Sequence, residues 1–246
     1  FANPAGADFD GAGAEAVMGA RRAGAPELRD EGARHRPRRP FGEDAGLGRA
    51  GIGAVADGMD MTRVDWKAGA YDPAGLSNLF TGNDARARIV LKAVRDKVAD
   101  LSGMKALAFC VSRDHARYMT RVFQEAGIRA AVVLGDTTKQ ERDDAVRDLR
   151  DGEIQVLFAV DVFNEGVDVP AINTVLFLRP TESSTVFLQQ LGRGLRRATD
   201  KAVLTALDFV GHHRKEFRFD QRFRAMTGST RAALERDIQH GFPFLP

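Results

Sequence analysis

From residue 83 onward, apolar positions alternate between a helical period and short continuous runs. Ile89, Val90, Ala93, Val94 and Val98 repeat at helical spacing behind Asn83, a capping residue, which predicts a helix from 83 to about 101. Residues 105–111 form a continuous apolar run of the kind buried on both faces of a sheet. Ala116, Met119, Val122, Phe123 and Ala126 return to the helical period, and Gly127 stands where a helix would end. Residues 129–134 predict a strand. Thr138 and Glu141 form a capping box opening a helix to about Leu149. Further strands are predicted over 154–160, 174–178 and 203–210, with a helix over 184–195 between the last two. Strands alternating with helices of this length predict an α/β fold, a parallel sheet covered by helices on both faces.

The flanks differ. Ala, Gly, Arg and Pro dominate the first fifty residues, and the run from Arg34 to Pro40 cannot bury itself. Residues 1–55 therefore read as a low-complexity segment without structure of its own, or as a mis-framed stretch of coding sequence. A basic tail touching nucleic acid non-specifically is the functional alternative. Residues 56–82 read as a linker, 83–211 as the α/β domain and 212–246 as a helical extension. That extension has helices expected over 213–226 and 231–239, and a final apolar run from Phe242 to Pro246 that packs back or leads into further protein.

Composition narrows the function classes. The formal net charge is +2 and hydrophobic residues make up 43%, so bulk charge does not mark the chain as a nucleic-acid or membrane binder and a sizeable core is available. Cys110 is the single cysteine, which excludes an intramolecular disulfide and points to a reducing, cytoplasmic setting. Placed mid-strand, it reads as a small buried hydrophobe rather than a nucleophile. No apolar run approaches the roughly 18 residues of a membrane span. Adjacent His212 and His213 diverge and lack further ligands at metal spacing, so no zinc site is expected.

Two stretches carry candidate chemistry. Residues 158–170 leave the end of a buried strand, where parallel sheets place their ligands. There Gly166 permits close backbone approach and Asp168 can accept from a sugar hydroxyl; a plain connecting turn is the alternative. In the second stretch, Gln189, Gly192, Arg193, Gly194, Arg196 and Arg197 follow. Arg193 and Arg196 share a helix face and form a fork suited to polyphosphate, while each glycine costs the helix roughly 1 kcal/mol. A solvated basic face is the alternative. In the extension, Arg214, Lys215, Arg218, Arg222 and Arg224 interleave with Phe217, Phe219 and Phe223. This reads either as phosphate contacts with base stacking or as an amphipathic helix docking its phenylalanines on the sheet domain.

Together the stretches resemble superfamily 2 helicases. Residues 161–170 look like motif V of that group. Gln189, Gly192, Arg193 and Arg196 reproduce the Q-x-x-G-R-x-x-R pattern of motif VI, and residues 106–112 with the helix after them look like motif IV. The resemblance is strongest over about 105–210 and is similar to a bacterial group of DEAD/DEAH-type helicases often linked to a phospholipase-D-like nuclease domain. It implies the C-terminal RecA-like domain of a P-loop NTPase helicase, the second motor domain of an ATP-dependent helicase or translocase acting on nucleic acid, more often DNA. Carried over position by position, Arg193 and Arg196 would reach the γ-phosphate and Gln189 would order that motif. Gly166 and Asp168 would meet the sugar side of ATP. Ser112, Arg113, Gly135, Asp136 and Thr137 would face the nucleic-acid backbone.

ATP and Mg2+ would be held mainly by an N-terminal RecA-like domain, the implied intramolecular partner. No G-x-x-x-x-G-K-[ST] occurs in the 246 residues, so these residues alone are expected neither to hydrolyse ATP nor to unwind a duplex. Val160 also stands where many of the group carry Thr. A non-catalytic RecA-like module binding nucleic acid or protein is the competing reading. A small-molecule Rossmann domain ranks last, because Arg113, Asp114 and His115, not a glycine-rich turn, follow the first strand of the α/β domain.

Overall fold

The computed structural model describes residues 15–17, 49–160, 171–181, 183–195, 203–218, 221 and 230, with backbone alone at 15–17, 49–52, 184, 193–195 and 203. In chain order the elements are β1 (Glu15–Val17), β2 (Arg49–Asp60), β3 (Trp66–Lys67), β4 (Ala70–Tyr71), α1 (Pro73–Phe80), α2 (Asp84–Lys97) and β5 (Ala106–Phe109). They continue with α3 (Arg113–Glu125), β6 (Ala130–Val133), α4 (Lys139–Asp151), β7 (Val156–Ala159), β8 (Thr174–Phe177), α5 (Ser184–Leu195) and β9 (Val203–His212). One sheet runs in the order β1-β2-β9-β8-β5-β7-β6, and β3 pairs with β4 as a separate hairpin. The neighbours from β2 to β6 are parallel, while β1 runs antiparallel along β2.

Successive side chains of a strand point to opposite faces, and here each face has its own core. Ala106, Ala108, Cys110, Phe158, Leu176 and Leu207 pack with Val90 and Val94 of α2 and Met119 and Phe123 of α3. Leu107, Phe109, Leu157, Val175, Phe177 and Ala206 pack on the other face with Leu149 of α4 and Phe187 and Leu191 of α5. The layering follows from right-handed crossovers. The chain moves one way along the sheet from β2 to β5 and from β5 to β6, and α2 and α3 share a face. It moves the other way from β6 to β7 and from β8 to β9, and α4 and α5 cover the opposite face.

The caps match their residues. Asn83 accepts from Arg86 N at 3.0 Å, Thr138 and Glu141 close a reciprocal capping box, and Gly127 takes φ +80° after α3. No helix of the described residues is long and apolar enough to cross a membrane.

Residues 56–82 depart from the linker expected of them, and 49–55 from a segment without structure. Residues 49–60 are the twelve-residue strand β2, which adds to the sheet beside β9 from Arg49–Val203 onward. Residues 61–82 then form the hairpin and α1, with Pro73 in the first turn and Asp72 accepting from Gly75 N at 2.8 Å. Pairing with β9 satisfies the β2 backbone whatever its side chains, so a glycine- and alanine-rich strand can still be ordered. The helix expected over 213–226 does not begin where expected: 213–218 run as turn and coil, with Phe217 N donating to Arg214 O at 3.1 Å, while Gln221 is helical and its N donates to Arg218 O at 3.3 Å. Phe217 is nonetheless docked. It lies 4.0 Å from His213, ring centre to ring centre, and packs with Tyr71 and Trp66 of the hairpin. The helix expected over 231–239 and the run from Phe242 to Pro246 lie outside the described residues.

A polar knot joins this N-terminal strap to the sheet. Near the end of β2 the register with β9 shifts and Gly58 takes φ +70°, and Asp57 there is buried. One carboxylate oxygen of Asp57 accepts from Met59 N at 3.1 Å and the other from Arg86 Nε at 2.8 Å. Arg86, 2% exposed, also donates to Leu178 O at 3.0 Å, lies 3.3 Å from His115 Nε2 and covers the Phe80 ring at 4.0 Å. Burial, followed by the Arg86 charge, pushes the His115 imidazole well below its usual titration range, so it stays neutral. At the same end of the strands Gly211 passes so near Met59 O that an added Cβ would come within 2.3 Å.

Removing one partner of a buried pair leaves an uncompensated charge. Asp57→Leu is expected to lower the unfolding free energy by about 3–5 kcal/mol in denaturant titration, and Asp57→Leu with Arg86→Met to recover most of that loss. A single-variant loss below about 1 kcal/mol would contradict this account.

Candidate functional site at the carboxyl edge of the sheet

In a parallel sheet every strand delivers its following loop to one edge, where ligands collect. After β5 the chain turns through Cys110 and Val111 to Ser112, the N-cap of α3. Ser112 is extended, with φ −151°, and its hydroxyl accepts from His115 N at 3.1 Å. It also shares a hydrogen bond of 2.7 Å with the Ser77 hydroxyl of α1. Cys110 is fully buried beneath this turn, and burial pushes its thiol up to about 12, so it remains a neutral apolar filler.

After β6 the segment Leu134–Thr138 makes a tight turn into α4. Thr137 N donates to Leu134 O at 3.1 Å, and the Thr137 hydroxyl accepts from Leu134 N at 2.9 Å. The cap on Thr138 then fixes the helix start. Gly135 is open: a Cβ there would meet nothing within 4 Å. A ligand can therefore approach the backbone of this turn closely.

The two turns touch. The Arg113 guanidinium and the Asp136 carboxylate form an exposed ion pair, the side chains 50% and 60% accessible. Asp136 is held below the usual carboxylate range by a hydrogen bond to its own backbone and then by the bond from Arg113, with the charge of Arg117 adding to the effect. Ser112, Arg113, Gly135, Asp136 and Thr137 thus form one edge. The hydroxyls of Ser112 and Thr137 each accept from a backbone N–H and so hold the turns. Arg113, already engaged by one carboxylate, and the open backbone at Gly135 are groups of the kind that bind anions.

The other half of the expected site lies along α5. The hydroxyl of Ser183, just before it, accepts from Val186 N at 3.3 Å. Phe187, Gln190 and Leu191 are buried, and Gln189 is exposed. Arg193 follows Gln189 by one turn in the same helix, described by its backbone alone. A Cβ at Gly192 would meet nothing within 4 Å, so packing among the described residues does not require glycine there. Arg196, Gly166 and Asp168, with the whole of 161–170, lie outside the described residues.

Sequence reading missed Ser77, Asp57, Arg86 and His115. One signal was present: Arg86, Val90, Ala93 and Val94 share a face of α2, so the period placed an arginine among apolar positions. Nothing local marked Asp57 as its partner.

Residues on both sides of this edge resemble those of known proteins. Residues 89–198 match the family described as "Helicase conserved C-terminal domain". IRC3 of Saccharomyces cerevisiae, named as a proposed ATP-dependent helicase, is 31% identical over 169 residues, which are 69% of this chain and 24% of that protein. A 51.5 kDa protein of a Lactococcus phage is 32% identical over 156 residues, 63% of this chain and 33% of its own. The DNA 3'-5' translocase XPB2 of Sulfurisphaera tokodaii is 29% identical over 134 residues, 54% of this chain and 29% of its own. The chain spans 24% to 33% of the length of these relatives. The parallel sheet with two helical layers and the family match over 89–198 together show that these residues form a C-terminal RecA-like domain of the superfamily 2 helicase type.

Proposed function

We propose that this domain is the second motor lobe of an ATP-dependent helicase or translocase that tracks along DNA. The observation that carries the reading is the contact between the turns after β5 and β6, which gathers Ser112, Arg113, Gly135, Asp136 and Thr137 at one edge of a helicase C-terminal domain. DNA is favoured by the similarity to a protein named as a DNA 3'-5' translocase.

In this reading the edge holds the phosphodiester backbone. Arg113 exchanges the Asp136 carboxylate for a phosphate, and the Gly135 backbone lets the strand come close. Exchange of one anion for another at a fixed guanidinium needs little rearrangement, which suits a lobe that must grip and release in each cycle.

ATP and Mg2+ are held by an N-terminal lobe. In α5, Gln189 is exposed and the helix is open at Gly192, and in the sequence Arg193 and Arg196 are three positions apart, a spacing that suits a triphosphate. These guanidiniums neutralise charge on the γ-phosphate as it is transferred, and Gln189 orders the face that carries them. Gly166 and Asp168 meet the sugar side of the nucleotide.

Two measurements test the reading. In the protein that joins this lobe to a phosphate-loop lobe, Arg193→Ala is expected to lower strand-stimulated ATP hydrolysis by about 10³-fold or more, while oligonucleotide affinity stays within about twofold. Equal loss of binding and turnover would instead make Arg193 a tracking residue, and unchanged turnover would favour a non-catalytic binding module. Asp136→Asn removes the competing carboxylate and is expected to tighten single-stranded oligonucleotide binding by about three- to tenfold at low salt, read by fluorescence anisotropy. Unchanged affinity would remove Arg113 from the track.

A further inference from the structure

Helix α3 is strongly two-sided. His115, Ala116, Tyr118, Met119, Thr120 and Phe123 are buried, and Arg113, Arg117 and Arg121 are exposed. Those three arginines are four residues apart, so at 3.6 residues per turn they fall within an arc of about 80° and stand about 6 Å apart along the axis. They form a ridge that begins at the edge described above and runs down the outer face of the helix.

The ridge is less neutralised with distance from the edge. Arg113 is paired with Asp136. Arg117 meets Asp114 only at 3.8 Å and lies near enough to Asp136 to act on it. Arg121 makes no ion pair or hydrogen bond among the described residues, and Glu125, one turn on, does not reach it. Asp114 sits in the first turn, where a carboxylate also complements the amino end of the helix, so its pull on Arg117 is shared. A ridge of guanidiniums with diminishing internal compensation, continuous with an anion-binding edge, suits a repeating linear anion rather than a single ion.

We infer that the outer face of α3, through Arg117 and Arg121, is a second phosphate-contacting surface that carries the phosphodiester backbone onward from the Arg113–Asp136 edge. The inference rests on the reading that this edge meets nucleic acid. It adds a surface outside the turns, engaged only when the strand is long enough to pass along the helix. Each phosphate contact releases counterions, so the ridge contributes directly to the salt dependence of binding.

The test is the slope of log binding constant against log salt concentration, by anisotropy, for dT8, dT30 and rU30. The variants are Arg117→Gln with Arg121→Gln, Arg113→Gln, and, as a control of equal charge change on the opposite layer, Arg147→Gln with Arg150→Gln. Thermal melting confirms that each is folded.

The ridge pair is expected to lower the dT30 slope by about 1.4, two contacts at about 0.7 each for a single strand, and to leave dT8 binding within twofold. A like change with rU30 makes the backbone the shared ligand, and a change with dT30 alone confines the ridge to DNA; both support it. An unchanged dT30 slope, or an equal fall in the control pair, overturns the ridge. If Arg113→Gln weakens dT8 while the ridge pair changes nothing, the edge stands and the ridge falls. If the unaltered protein binds none of the three, both fall.

Discussion

Parallel pairing is the constraint from which the rest of this domain follows. Strands running the same way cannot be joined by tight turns, so each connection must cross a face of the sheet, and helices are the economical way to cross. Two buried faces result, each with its own core, and every strand from β2 to β6 ends at the same edge. Chemistry that a single strand could never assemble is collected there by topology. Arg113 and Asp136 come from loops after different strands, 23 residues apart, and meet because β7 alone separates β5 from β6.

The polar knot around Arg86 works against the ordinary preference for apolar interiors. A guanidinium taken out of water loses hydration that one carboxylate rarely restores in full. Here a carboxylate oxygen, a backbone carbonyl, a neutral imidazole and an aromatic face surround it together. The partners come from β2, the residue after β8, α3 and α1, so the knot is satisfied only when the strap, the sheet and the start of α3 are in register. Direction-dependent partners of this kind favour one arrangement over others that bury the same apolar area. His115 links the knot to the Ser112 cap, and so the strap stands directly behind the edge that we assign to nucleic acid.

At the edge itself, the side chains divide between holding and offering. Ser112, Thr137 and Thr138 spend their hydroxyls on caps and turns, and Gly135 leaves its backbone open. Rigid turns cost an incoming strand less ordering than loose ones, because the loop entropy is already lost. The carboxylate of Asp136 keeps Arg113 engaged. The same division recurs on α5, where Gln190 and Leu191 are buried beside the exposed Gln189.

The helices from α2 to α5 and the strands from β5 to β9 were legible in the chain because their signals are local. Apolar period, caps at Asn83 and Thr138, and Gly127 act over a few residues, and short-range sterics and hydrogen bonding decide them. The spacing of Gln189, Gly192, Arg193 and Arg196 was equally plain, since a motif is itself a local pattern. What only the tertiary structure decided was every contact between distant segments. Strand β2 has few large side chains and owes its order to the backbone of β9; Asp57 and Arg86 are 29 residues apart and pair only once the sheet is built. The basic, aromatic composition of 213–218 predicts helix, yet these residues form a turn in which Phe217 is held by the Trp66 and Tyr71 rings of a hairpin more than a hundred residues earlier. Burial energy depends on which surfaces meet, and that is a property of the assembled fold rather than of any stretch of chain.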